Sequence, residues 1–344
     1  MRHDSFRIGL IAVVMLVALR VTIGWHFLYE GVWKIANSDE FSAEPFLTQA
    51  KGPAAGLFYR MVPDLMGGQR LPIVTDENGE RTISPEVYEE AWTELKQDML
   101  DSYDLSTKQV EKVESLHKIY IDSLHLYLSD DRDLGNRDAI LAYFDALDRY
   151  KEEMAAGNNG AEFQKKRAWD KQQALRREVN AWLSDLDAMG EKYRLALWDV
   201  LDDGQKAGGA IPEVVLEPNK LPIPLPVVDS RTQGLDLAVT YALTAIGLCL
   251  VLGFCTRLAN LGGAAFLVSV LLTQPPWPTI YPPAPEVVGH ALVVDKNFVE
   301  MMAMLMLATL PVGRWGGLDY FLYQWLVKPF QSKDPAAKAE GGKG

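Results

Sequence analysis

The chain has 344 residues, 48% of them hydrophobic, and a formal net charge of −12. That acidic balance argues against nucleic-acid binding, which needs basic surface against phosphates. Its two cysteines, Cys249 and Cys255, lie at or beside an apolar segment in a Cys-x5-Cys spacing. No disulfide framework, thiol metal cluster or Cys-x-x-Cys redox centre follows from such a pair.

The charge is segregated. Between Asn37 and Thr232 stand 37 Asp and Glu against 23 Lys and Arg, a net of −14, while the remainder carries 9 and 11, a net of +2. Such a division indicates a soluble acidic module inserted into a membrane protein, and 344 residues suffice for two domains.

The first apolar run, about Ile8–Tyr29, reads as a membrane span. A secretory signal peptide is the alternative, since Arg2 and Arg7 precede the run. Against it, the run is too long, Arg20 interrupts it and no small-x-small cleavage site follows. Phe41–Met66, with its glycines and aromatics, suits a segment lying against the membrane surface. Val87–Tyr103, Thr107–Leu128, Arg137–Met154 and Ala161–Leu201 are rich in helix formers. In the second, Val110, Val113, Leu116, Tyr120 and Leu124 recur at threes and fours, the stripe of an amphipathic helix. Ser106 offers a helix start and Asn158-Asn159-Gly160 a break. Packed antiparallel, these helices form a bundle or a long hairpin. Val214–Val228, with four prolines, is an extended strap.

Three further spans follow at about Leu235–Phe254, Leu258–Thr273 and Ala291–Val312, each approaching the roughly 20 residues needed to cross hydrocarbon. Gly313–Asp319 reads as a helix stop, with Arg314 at the headgroups and Asp319 capping an interfacial helix, Leu318–Val327. The fold class expected is all-α: a four-helix transmembrane bundle with a large helical extracytoplasmic domain inserted between the first and second spans. The divisions are 1–36 for the first span, 37–232 for the insertion, 233–330 for the other spans and interfacial helix, and 331–344 for a disordered cytoplasmic tail. With four alternating spans, Arg2, Arg7, Arg257, Arg314, Lys328 and Lys333 share one side. The positive-inside bias makes that side cytoplasmic, both termini included, in a bacterial inner membrane.

Candidate chemistry lies at the span ends. Arg20, Gly24, Phe27, Gly31 and Lys34 form a narrow stripe on the first helix, and its glycines permit close helix approach. Glu30 and Lys34 are spaced as an ion pair. With His26 they face the outer boundary, where Asn297 and Glu300 begin the fourth span. Joined, these groups would flank a quinone head or a small anion and exchange protons. The alternative is simple interfacial ion pairs within an aromatic belt, with Arg20 held by Glu300 or by helix-end carbonyls. His117 and His125, eight apart, do not share a helix face well enough to chelate a metal.

The Gly313-Arg314-Trp315-Gly316-Gly317-Leu318-Asp319 exit, the Arg20/Gly24/Gly31/Lys34 pattern and Cys255-Thr256-Arg257 after Leu252-Gly253 together resemble DoxX-family membrane proteins. That family includes the small subunit of thiosulfate:quinone oxidoreductase. The resemblance covers the four spans and implies a family motif of Gly24, Gly31, Arg257, Gly313, Arg314, Gly317 and Asp319. It implies a membrane subunit passing electrons from a sulfur compound or similar donor to quinone, with partner redox subunits. The long insertion departs from the short loop of most members. A second class therefore stays open: a non-enzymatic scaffold in the lipid bilayer whose outer module binds a protein or envelope component.

Overall fold

A computed structural model describes residues 9–51, 54–75, 79–131, 133–157, 161–225, 228–274 and 294–328. Helix dominates, and the chain divides into two compact units: Tyr59–Gln233, and the segments that precede and follow it.

The first unit opens on α1 (Leu10–Ala36), whose 27 residues reach about 40 Å at 1.5 Å per residue. One stripe of it is buried, formed by Arg20, Ile23, Gly24, Phe27 and Gly31. The rest presents large apolar side chains outward, Leu10, Ile11 and Trp25 among them. The short helices α2 (Glu44–Thr48) and α3 (Ala55–Tyr59) follow. The Ala43 N–H donates to Asp236 Oδ1 (2.7 Å) and the Lys51 N–H to the Thr273 carbonyl (2.7 Å). These bonds tie the segment after α1 to the apolar helices, so the compact module begins at Tyr59 although the acidic composition begins at Asn37.

The module contains a small hairpin, β1 (Ile73–Thr75) antiparallel to β2 (Arg81–Ile83), with Val74 opposite Thr82. Four long helices come next: α4 (Glu86–Ser102), α5 (Thr107–Tyr127), α6 (Arg137–Ala155) and α7 (Glu162–Trp198). All four lie within a few residues of the segments read from periodicity. Ser106 starts α5 as expected, its N–H donating to Gln109 Oε1 (2.9 Å). Asn158-Asn159-Gly160 lies outside the described residues. Cross-helix contacts fix direction: Gln109 reaches the Val200 carbonyl, His117 Tyr193 and Tyr127 Asp185, so α5 runs antiparallel to α7. Likewise Tyr143 meets Trp182 and Lys171 meets Glu153, which sets α6 antiparallel to the first half of α7. The 37-residue α7 is thus a spine shared by both neighbours. The module's core gathers Trp92, Met99, Val113, Leu124, Ile140, Tyr143, Val179 and Leu186, each at most 1% exposed. A turn, α8 (Asp203–Lys206), precedes β3 (Lys220–Leu225), which pairs with β4 (Val228–Ser230). The proline-rich strap therefore carries a short hairpin, and neither hairpin was visible in hydrophobic periodicity because strands of three to six residues hold only one to three repeats.

Among the described residues three helices are long and apolar enough to cross a membrane: α1, α9 (Arg231–Leu252) and α10 (Thr256–Thr273). The span expected over Ala291–Val312 differs. There α11 covers Lys296–Thr309, 14 residues or about 21 Å of helix, and 291–293 lie outside the described residues. Asp295 fixes its start by accepting the Phe298 N–H (2.8 Å). Pro311 fixes its end, because the residue before a proline is driven out of the helical region and Leu310 is extended (ψ 150°). Two turns, α12 (Val312–Gly316) and α13 (Asp319–Leu322), follow, and α13 widens into a π-type turn over Tyr323–Val327.

Candidate functional site

Glycines set how closely the apolar helices meet. A Cβ on Gly24 would stand 2.7 Å from the Leu250 Cβ, and one on Gly247 would overlap the Leu28 main chain. Gly31 lies equally close to Thr244. α1 and α9 thus touch backbone to backbone at small residues, a packing that needs no hydrophobic drive between helices.

That approach carries Arg20, 1% exposed, into a knot of helix ends. Its Nη1 donates to the Val312 carbonyl and its Nη2 to the Gly316 carbonyl, each at 3.0 Å. Val312 opens α12 and Gly316 closes it, and the Gly316 carbonyl, in the last turn, has no partner within the helix. Gly253 closes α9 in the left-handed region (φ 67°), where a side chain would be strained. It lies against Gly317, where a Cβ would be 2.6 Å from the Gly253 Cα. The Asp319 N–H donates to the Gly253 carbonyl (2.8 Å). The Asp319 carboxylate then accepts the Cys255 N–H at Oδ1 (2.6 Å) and, at Oδ2, the Thr256 N–H (3.0 Å) and hydroxyl (2.6 Å). Asp319 was expected to cap the interfacial helix that it begins. It caps α10 instead, because Cys255, at that helix's N-cap position, lends no side-chain bond. Gly313 is required beside it, since a Cβ there would strike Asp319 and Thr256.

A second group lies further along α1. His26 Nδ1 stands 2.9 Å from Glu300 Oε1 on α11, with the His26 side chain 58% and the Glu300 side chain 18% exposed. Glu30 bonds Lys34 at 3.1 Å within α1, and Lys34 also covers the Phe41 ring. Asn297 turns back to Asp295 (3.1 Å). The single cluster expected from Glu30, Lys34, Asn297 and Glu300 with Arg20 beneath is therefore divided. Glu300 takes His26, one turn from Glu30, and Arg20 meets α12, beyond the opposite end of α11. Register explains the division: α1 and α11 run antiparallel, so six residues separate the two contacts on α1.

No protein-family model, curated protein or solved structure matches this chain.

Arg257 and Arg314 are both exposed and line an open cleft of about 300 Å³ beside the knot, together with Cys255, Thr256, Asp319, Tyr323 and apolar side chains. The Arg314 guanidinium stacks on the Tyr323 ring (3.8 Å). Gly247 was missed as a contributor, its one trace being a small residue within an apolar run, and Thr256 was named only as part of the turn Cys255-Thr256-Arg257.

In the module, His117 is held below its usual range by burial and by Lys96, while its Nδ1 meets the Tyr193 hydroxyl at 3.0 Å. Burial also raises Asp64, although its oxygens accept the Gln69 and Arg70 N–H groups at 2.8 Å. His125 pairs with Glu89, away from His117. Among the described residues no three His, Cys, Asp or Glu side chains are grouped to hold a metal ion.

Proposed function

We propose that this is a bacterial inner-membrane scaffold, a DoxX-like bundle of four helices that displays the acidic helical module outside the membrane for a protein or envelope component. The observation that carries the reading is the use made of Arg20. A charge within an apolar helix is costly and marks function by default. This one is committed to two main-chain carbonyls, where it fastens helix ends. The one-sided placement of Arg257, Arg314 and Lys328 supports cytoplasmic termini, by the positive-inside bias. Green fluorescent protein fused after Lys343 should fluoresce; a dark but stable fusion with an active outside reporter at that point would reverse the orientation.

A quinone-linked redox subunit is the second reading, and the His26–Glu300 pair favours it. A histidine and a carboxylate in contact, with the ring open on the helix surface, could pass a proton to or from a quinone oxygen. Glu300→Gln separates the two. For a scaffold, the variant loses abundance or thermal stability and any ligand binding falls in proportion. For a redox subunit, quinone-dependent activity disappears while the protein accumulates normally.

A further inference from the structure

We propose that the cleft between the α9–α10 turn and the α12–α13 segment binds the headgroup phosphate of an anionic phospholipid. Its position comes first. Cys255, Thr256 and Arg257 begin α10 at the turn from α9, and both helices are apolar enough to cross a membrane. The cleft therefore opens at the depth of phosphates and glycerol backbones. Its lining is divided as a phospholipid is divided. Arg257 and Arg314 supply cationic donors, while Leu258, Pro311, Leu322 and Leu326 supply apolar wall. Leu258 and Leu326 are 72% and 61% exposed, and Trp325 beside them 74%, so the wall faces outward where acyl chains run.

Charge selects the ligand. Among the described residues neither Arg257 nor Arg314 forms an ion pair, although acidic residues are plentiful in the chain. Arg314 is stacked on Tyr323, which fixes the guanidinium plane and leaves its N–H edge for a phosphate oxygen. Among the described residues Asp319 is the one carboxylate lining the cleft. Both of its oxygens already accept hydrogen bonds from the start of α10, and Arg20 lies behind it. The two arginines are thus left facing outward, and basic pockets at span ends recognise anionic headgroups. The inference rests on α9 and α10 being spans. If that is wrong, the full-length protein will leave the membrane in a salt or carbonate wash, an outcome separate from the lipid result.

The test uses full-length protein in nanodiscs of dioleoylphosphatidylglycerol or dioleoylphosphatidylcholine, with native mass spectrometry of retained lipid and thermal unfolding as readouts. Phosphatidylglycerol should be retained and should raise the unfolding temperature more than phosphatidylcholine. Each of Arg257→Gln and Arg314→Gln should lower apparent affinity about fivefold, and the double variant about 25-fold, from roughly 1 kcal/mol per basic residue at a membrane surface. Should the double variant fail to accumulate, wild type alone still decides, since the preference must shrink as salt rises from about 0.05 to 0.5 M. Equal retention of the two lipids, an unchanged double variant or a salt-insensitive preference would overturn the proposal. So would stabilisation of detergent-purified protein by inorganic phosphate or glycerol phosphate alone, which would make the cleft a soluble-anion site.

Discussion

Both units bury hydrophobic clusters, and they differ in what they turn outward and in the polar groups they hold inside. In the module, leucines, tyrosines and a tryptophan fill the inside, and ion pairs such as Lys96–Glu114, Arg81–Asp145 and Lys171–Glu153 decorate the outside. Among the apolar helices, Leu10, Ile11, Trp25 and Leu258 point outward, while Arg20, Thr240, Thr256, Asn260 and Thr273 are buried. Water rewards the first arrangement and hydrocarbon tolerates only the second, because in lipid a polar group is stabilised by meeting another polar group. The glycine contacts fit the same rule: with no hydrophobic drive between helices, close approach and main-chain hydrogen bonds do the fastening.

The contrast can be broken most forcefully at Arg20. Arg20→Met should cost about 2 kcal/mol or more, since the buried Val312 carbonyl and the part-buried Gly316 carbonyl lose a charged donor and a hydrogen bond to a charged group contributes roughly 1.5–3 kcal/mol. The expected result is strongly reduced detergent-stable protein in fluorescence-detected size exclusion. A variant that melts like wild type would remove the knot's structural role.

Next in size is truncation in the module. Leu124, fully buried, should cost about 2–5 kcal/mol as Leu124→Ala, measured by denaturant unfolding of 59–233 expressed alone. That fragment has no cysteine, so its helical circular dichroism should be indifferent to reductant. A sheet-dominated spectrum would refute the module as described.

Enlargement should do among the apolar helices what truncation does in the module. Gly247→Ala drives a methyl into the Leu28 backbone and should cost about 1–3 kcal/mol, read as a lower unfolding temperature in detergent. A neutral result would mean that α1 and α9 slide apart freely.

The smallest effect is a pH slope. His117 faces the Tyr193 hydroxyl, with Lys96, Glu114 and Glu89 near enough to act on it. Its folded pKa lies below the ordinary 6.5, so its neutral form stabilises the module. That contribution is present above about pH 6.5 and is lost as pH falls through the lower folded value. His117→Gln should therefore flatten the decline of module stability between neutral and mildly acid pH, and an unchanged slope would place the decline elsewhere.

Much of the fold was legible in residue order. The periods of α4 to α7 are strong because each helix meets water on one side and core on the other. The Arg20–Gly24–Phe27–Gly31 stripe announced a close helix contact for a related reason, since small and charged residues stand out in an apolar run. The end of α11 was less legible: its apolar composition continues past Thr309, and a local bond at Asp295 with the steric demand of Pro311 sets its length. For the site, sequence supplied the groups along α1 without their partners. Glu300 was equally able to meet Lys34 or His26, and Asp319 to cap its own helix or a distant one.

Composition, period and small-residue spacing thus determined by themselves that apolar helices flank an acidic helical module, because those signals are local and repeat every turn. Tertiary structure alone decided that Arg20 serves the carbonyls of Val312 and Gly316, that Asp319 begins one helix and caps another, and that His26 holds Glu300. Each of those pairings joins residues more than sixty positions apart. Which partner wins depends on the antiparallel register of packed helices, and no short stretch of chain contains that register.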